Sequence, residues 1–409
     1  MIELSWTVDP GAGGLDRLDG LSFDPFKSNA AGYGNMRAGI CRALDTLGIV
    51  YAIVPAPSFL DRLVPAPLKM KEEYVDRPHP GGTRWRRICR VTDVQKTPAP
   101  DPVTRPDVTR ICIGTPETWT WDGAGRRIGM TMWESSAVPD SRNSWVPWLQ
   151  DADEVIVPCE HNAALVRRQA PGAAVRVVPL AVDGEDWPLM TRERKPGGSL
   201  TFLLAGQLSY RKGWLHAYQA FMMAFGRDPR FRLVLKTSSR SELVTLDSKD
   251  RSRYAYWFED PNVMVLRDFY EHAGMLEMYR MADVFVWPSL GEGFGLPPRE
   301  AAMTGLPVIS TDNTGLEDAA RWAWRTVRSE EAAGVAAIFG PWGYCGQWAM
   351  IDIGDLAAAM VQVAQEYDQA VAWTRDVARS YLTRRTWLDV ARDILAPVEA
   401  HQTREVLCA

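Results

Sequence analysis

Glu292-Gly-Phe-Gly-Leu-Pro-Pro-Arg-Glu300 decides the reading of this chain. Two carboxylates stand at its ends, around a glycine-rich turn and a double proline. The run Asp283-Val-Phe-Val-Trp-Pro288 just before it reads as a buried parallel strand stopped by Pro288. Gly291, Gly293 and Gly295 allow a sharp turn and a close approach to a ligand. Pro298 suits the first turn of a helix, where a missing N–H costs nothing, and Glu300 is expected in that same turn, where the helix dipole favours negative charge. Gly305 closes the helix, and Pro307-Val-Ile-Ser310 opens the next strand. One acid then sits on the loop at a strand's carboxyl end and the other on the helix behind it, around the crevice where open α/β sheets bind ligands. A carboxylate accepts two hydrogen bonds at once, which matches a vicinal diol of a ribose or hexose. On geometry alone, a solvated strand–loop–helix stays open as the alternative.

Working outward, apolar runs alternate with helical patterns along most of the chain. Gly48–Val54, Arg110–Gly114, Ile128–Met132, Glu154–Val157 and Val175–Val178 read as strands in the first half, with helices over Asn35–Leu47 and Glu160–Gln169. Leu200–Ala205, Phe231–Lys236, Val263–Leu266, Val284–Trp287 and Val308–Ser310 read as strands in the second. Trp214–Phe225 carries Trp214, Leu215, Tyr218, Phe221, Met222 and Phe225 at helical spacing. Strand–helix alternation implies parallel sheets covered on both faces. Periodicity is lost between Pro179 and Pro196, where prolines and glycines cluster. The predicted architecture is α/β with two Rossmann-like halves, residues 1–185 and 186–385, and a final helix within 386–409. Pro98–Pro106 reads as an extended loop.

At 409 residues the chain suits two domains, and its 46% hydrophobic and 24% charged content is ordinary for a globular protein. A net charge of −5 gives no general attraction to nucleic acid or anionic lipid. No apolar run approaches membrane-spanning length, and Met1–Trp6 has no leader pattern, so a cytoplasmic protein is expected. The six cysteines form no Cys-x-x-Cys pair and read as reduced thiols; the five histidines show no metal-ligand spacing. The basic-aromatic cluster Arg84-Trp-Arg-Arg-Ile-Cys-Arg90 reads as a solvated strand or loop, with peripheral membrane contact left open.

Three further segments carry polar chemistry. Gly206-Gln-Leu-Ser-Tyr-Arg-Lys-Gly213 places cations and free N–H groups between a strand and the Trp214 helix, a ready anion site. Ala31-Gly-Tyr-Gly-Asn-Met-Arg37 precedes the first helix, and Met130-Thr-Met-Trp-Glu134 ends a strand with a candidate cleft acid, Glu134. Pro158-Cys-Glu-His-Asn162 reads as a helix start.

Taken together, the acid pair with Glu-Ala-Ala-Met-Thr-Gly-Leu-Pro-Val-Ile after it resembles the E-x7-E segment of retaining GT-B glycosyltransferases, specifically glycosyltransferase family 4. The resemblance spans about residues 30–315, dense in the second half and sparse in the first. It implies a GT-B fold and a nucleotide-sugar donor (a UDP-, GDP- or dTDP-sugar), with no cofactor and no metal. Glu300 would then hold the ribose. Glu292 would hold donor-sugar hydroxyls, helped by Gly293 and the N–H groups of Phe294, Gly295 and Leu296. Lys212 matches the family's phosphate-binding Lys, whereas Gln207, after Gly206, stands where the family carries Arg; Arg211 is the substitute in reach. Gly34 faces the donor in this picture, and Gly32, Tyr33, Asn35 and Arg37 face the acceptor. Trp133 and Glu134 stand where many relatives carry a donor-contacting His. Asp151-Ala-Asp153 has the letters of a metal motif but opens a strand. The acceptor, whether small molecule, glycan, lipid or macromolecule, is not legible, and monomer and homodimer are both open. The competing readings are a nucleotide-sugar epimerase on the same fold and a non-catalytic nucleotide-sugar or glycan-binding protein.

Overall fold

The computed structural model describes residues 2–6, 32–49, 51–55, 68–77, 84–94, 105–121, 123–140, 144–192, 198–237, 260–267, 270–339 and 342–396. Pro98–Pro106 lies largely outside them. Two six-stranded parallel sheets dominate. The first is built from β1 (Ile2–Trp6), β2 (Tyr51–Pro55), β5 (Arg105–Ile113), β6 (Ala124–Met130), β7 (Glu154–Val157) and β8 (Val175–Val177), in the order β2-β1-β5-β6-β7-β8. A hairpin of β3 (Leu68–Arg77) and β4 (Arg84–Val94) is inserted before β5, and it absorbs the Arg84–Arg90 cluster into a strand. The second sheet has β9 (Leu200–Ala205), β10 (Phe231–Lys236), β11 (Val263–Leu266), β12 (Val284–Trp287), β13 (Val308–Thr311) and β14 (Arg325–Val327), in the order β11-β10-β9-β12-β13-β14. From β9 the chain winds one way to β11, then returns to the other side with β12. The topological switch point is therefore between β9 and β12, where the loops after both strands leave a crevice.

The helices are α1 (Gly32–Thr46), α2 (Val146–Asp151), α3 (Glu160–Gln169), α4 (Trp214–Phe225), α5 (His272–Met281), α6 (Leu296–Met303), α7 (Ile353–Gln365), α8 (Tyr367–Trp373), α9 (Arg379–Leu382) and α10 (Trp387–Leu395). Local signals explain several boundaries. Asp352 caps α7 by accepting from the Asp355 N–H at 2.9 Å. Thr386 and Asp389 form a capping box at α10. Gly305 leaves α6 at φ +83°, a left-handed position that glycine tolerates without strain. The glycines of Gly32–Asn35 do not form a loop ahead of α1, as expected; they are its first turn. Glycine is tolerated at a helix start, where no preceding turn needs its side chain. Glu300 is likewise the fifth residue of α6 rather than part of its first turn, because the helix starts at Leu296, ahead of both prolines.

A second hairpin, β15 (Ser329–Phe339) and β16 (Gly343–Ile351), leaves the edge of the second sheet after β14. Its tip packs on the first lobe. The largest apolar cluster also runs across both lobes, from Met36 and Ile40 on α1 to Phe285, Trp287 and Ala301. The chain passes between lobes twice, after β8 and before α10. The two passages touch: Arg385 Nε donates to the Pro179 carbonyl at 2.5 Å. Beyond the second passage, α10 packs on α1, with Trp387 against Gly39. Arg176 on β8 donates to the carbonyls of Asp393 and Ile394 at its end.

Candidate functional site

The loop after β12 and the loop after β9 meet at the switch point. Lys212 Nζ lies 2.5 Å from Glu292 Oε1, and Arg211 Nη1 lies 3.6 Å from the same oxygen. Ser289 Oγ donates to that oxygen at 2.7 Å. Arg211 also donates to the Gly291 carbonyl at 2.6 Å. Burial pushes the Glu292 carboxyl up, but Lys212 and then Arg211, with hydrogen bonds from Lys212 and Ser289, outweigh it and hold the group below the usual carboxylate range. Burial and the Arg211 charge lower Lys212, against the pull of Glu292. The three side chains form a charge cluster in a nearly dry crevice, with one cation more than acid.

The backbone of Glu292 is clamped from below. Its N–H donates to Thr314 Oγ1 at 2.7 Å, and its carbonyl accepts from the Gly315 N–H at 2.9 Å. Thr314 takes φ +49°, an uncommon value for a β-branched residue, so this turn holds backbone strain beneath the acid. Gly213 turns the Lys212 loop into α4 at φ +69°; a Cβ there would stand 1.9 Å from the Pro288 carbonyl. Gly295 takes φ +77°, as a sharp turn requires. Gly291 and Gly293 have a different purpose from the one expected. They are small because the first lobe lies against them: a Cβ on Gly291 would meet the Glu134 carbonyl at 2.0 Å, and one on Gly293 would meet Met132 Cγ at 2.5 Å.

Glu300 is buried on α6, close enough to help burial raise the Tyr279 hydroxyl pKa. Arg299 beside it is sandwiched between the rings of Phe294 (4.0 Å) and Trp322 (4.6 Å) and donates to Asp318. Gly206 abuts the Trp287 ring, Gln207 is exposed, and Leu296 is buried at the head of α6. Glu134 reaches across from the first lobe to Arg211 Nη2 at 3.1 Å. The structure therefore brings together Glu292, Lys212, Arg211, Glu134 and the Gly293–Leu296 turn. Gly32, Tyr33, Gly34 and Asn35 are in α1; their side chains and that of Arg37 lie outside the described residues. Asp151 and Asp153 both pair with Arg127 at the surface.

Four contributors were not singled out from the sequence. Asn162 ends a segment that resembles the Pro-Ser-x-x-Asn element of glycosyltransferase family 4, and it was expected to start a helix rather than to do chemistry. It is buried, accepts from the Trp133 N–H and donates to the Gly293 carbonyl at 3.0 Å, so it bridges the two lobes beside the acid. Glu317 accepts from the Glu160 N–H at 2.9 Å at the start of α3, a second such bridge. Ser289 and Thr314 hold Glu292 from within the second lobe. A cavity of 280 Å³ is lined by Trp324, Arg325 and Trp373 and by none of these residues. Cys41, Cys112, Cys159 and Cys345 are buried. Among the described residues, no group of three or more His, Cys, Asp or Glu is placed to hold a metal ion, and no helix is long and apolar enough to cross a membrane.

Two doubly wound parallel sheets, with an acid and cations at the switch point of the second, define the GT-B glycosyltransferase fold. Solved structures of similar architecture agree. Sucrose-phosphate synthase from Thermosynechococcus elongatus superposes with a TM-score of 0.61 at 15% identity, covering 99% of each chain. The pneumococcal O-GlcNAc transferase GtfA, solved in complex with UDP and GlcNAc, gives 0.57 at 12% identity, covering 100% of this chain and 99% of that one. Residues 159–394 match the family described as "Family 4 Glycosyltransferase in conflict systems", and the chain belongs to that family. Glycogen synthase from Mycobacterium tuberculosis is 26% identical over 204 residues, 48% of this chain and 46% of the relative. The chain thus spans about half the length of that curated relative.

Proposed function

We propose that the protein is a retaining glycosyltransferase that moves a sugar from a nucleotide-diphosphate donor to an acceptor hydroxyl without a metal. The observation that carries this is the buried Lys212–Glu292–Arg211 cluster at the switch point between β9 and β12. A diphosphate leaving group needs fixed positive charge in a water-poor site, and such preorganised charge is the largest contribution to reactions of this kind. Lys212 and Arg211 supply it, Arg211 standing in for the cation that Gln207 cannot provide. Residues 186–385 bind the donor, residues 1–185 bind the acceptor, and residues 386–409 return to the first lobe.

Glu300 accepts hydrogen bonds from the ribose hydroxyls. Glu292 accepts from donor-sugar hydroxyls, and the N–H groups at the start of α6 face the sugar and phosphate. In the transfer step the acceptor oxygen bonds to the anomeric carbon on the face the phosphate leaves. The carbon–oxygen bond to the diphosphate breaks, the acceptor's proton passes to the departing phosphate oxygen, and nucleoside diphosphate is released. Glu134 leaves Arg211 to the diphosphate and turns to the sugar or acceptor hydroxyls. The Gly32–Arg37 segment completes the acceptor side. GtfA, of the same fold, is the precedent for UDP in such a cleft.

The test is calorimetry with UDP-, GDP- and dTDP-sugars, followed by turnover with candidate acceptors. Binding to one donor, with nucleoside diphosphate released and the anomeric configuration kept, supports the proposal. An isomerised sugar formed from donor without acceptor would assign an epimerase. Binding without turnover would assign a binding protein.

A further inference from the structure

We propose that Trp342, at the tip of the β15–β16 hairpin, is a positioning residue for Glu134: an element of the second lobe fixes an acid of the first lobe beside the phosphate-binding cations. The proposal rests on the donor-site reading above.

The hairpin grips the residues on both sides of Glu134. Before it, the Trp133 ring is packed by Phe339 at 4.4 Å between centroids and by Trp342 edge-on at 5.6 Å. Trp342 also meets Trp145 edge-on at 5.9 Å, and Trp145 packs on Trp133 at 4.6 Å. After it, Ser135 Oγ donates to the Cys345 carbonyl at 2.6 Å. The Ser136 N–H donates to the Gln347 carbonyl at 3.0 Å, and the Gln347 N–H donates back to Ser136 Oγ at 2.8 Å. Gly346, at φ +77°, permits this approach, since a Cβ there would come within 2.4 Å of Ser136 Oγ. On the other side, Gly291 meets the Glu134 carbonyl.

With residues 133, 135 and 136 fixed, only the Glu134 side chain is left to move, and it is aimed at Arg211. Holding the backbone in advance removes most of the ordering entropy that a loop carboxylate would otherwise lose on engaging a cation. Glu134 therefore competes with the donor diphosphate for Arg211, and the hairpin sets how strongly. Once displaced, the acid stays within the site. The aromatic tip acts on Glu134 through the Trp133 and Trp145 rings, so it can be altered without replacing a residue of the cluster.

The experiment is a double-mutant cycle read by calorimetry with UDP, GDP and dTDP. Glu134→Gln should tighten binding of the recognised nucleoside diphosphate by about fivefold, the effect of removing a partly exposed competing charge. Trp342→Ala should tighten it in the same direction, and the double variant should bind like Glu134→Gln alone. Weaker binding in Trp342→Ala, or effects that add, would overturn the proposal. Phe339→Leu replaces Trp342→Ala in the cycle if the latter does not fold. If the wild type binds none of the three nucleotides, the donor reading fails on its own. Hydrogen exchange of the ligand-free protein then decides the positioning role: faster exchange of the 133–137 amides in Trp342→Ala supports it, and unchanged exchange refutes it.

Discussion

Replacing Lys212 by Met tests the charge cluster most directly, because it removes the nearest cation from a buried acid while keeping the volume. Lys212 is 2.5 Å from Glu292 in a site where their side chains are 13% and 6% exposed. Breaking a fully buried pair by removing one partner costs about 3–5 kcal/mol. Here Arg211 at 3.6 Å and Ser289 at 2.7 Å continue to support the carboxylate, so the expected loss of stability is about 1–3 kcal/mol, read by denaturant unfolding. Catalysis loses a charge-assisted contact to the leaving group, about 1.5–3 kcal/mol or roughly ten- to a hundredfold in kcat/KM. The two losses separate in Lys212→Met/Glu292→Leu: stability should return to within about 1 kcal/mol of wild type, since an apolar pair replaces an ion pair, while activity stays lost. A single variant as stable as wild type with full donor turnover would refute the argument. So would a double variant less stable than Lys212→Met.

Acidification should destabilise the wild type through Glu292. Its folded pKa lies below the ordinary 4.5, so its contribution is complete above that value and disappears as pH falls through the depressed folded pKa; unfolding midpoints measured from pH 6 downward check this, and a flat profile that Glu292→Gln does not alter counts against it. Glu300→Ala should lower nucleoside-diphosphate affinity by about tenfold to a hundredfold, the loss of hydrogen bonds to a charged group, and unchanged affinity in calorimetry would remove it from the ribose site. Asn162→Ala leaves the Trp133 N–H unsatisfied and the Gly293 carbonyl with only the weak Cys159 thiol donor at 3.6 Å; a stability loss of about 1–3 kcal/mol with reduced kcat is expected from unfolding and turnover assays. Gly291→Ala must push the Glu134 carbonyl away, so small-angle scattering should show a larger radius of gyration than wild type, and an identical one would argue against the closed contact.

The parts legible in the sequence are those that local physics determines. Glu154–Val157, Leu200–Ala205 and Val284–Trp287 are continuous apolar runs because both faces of a parallel strand are covered, and their bounds match the structure. Trp214–Phe225 shows its helical stripe for the same reason. β1 escaped, since Ile2–Trp6 is short and its neighbours β2 and β5 are distant in sequence. The β15–β16 hairpin escaped because its Ala- and Gly-rich strands lack a clean alternation and are broken by register shifts. That Glu292 and Lys212 meet was legible because motifs of known pattern carry both. Asn162 was not, because its meaning depends on Gly293, which folding alone brings beside it. The purpose of Gly291 and Gly293 was misread for a related reason: nothing near them in the chain reveals that Glu134 and Met132 occupy the space a side chain would need.

The contact between Arg385 and Pro179 has a mechanical consequence. Both covalent links between the halves run through one spot, so the protein is built like a book on a narrow spine rather than like two plates free to slide. That contact ties the two strands of the spine to each other, and α10 beyond it stays packed on α1.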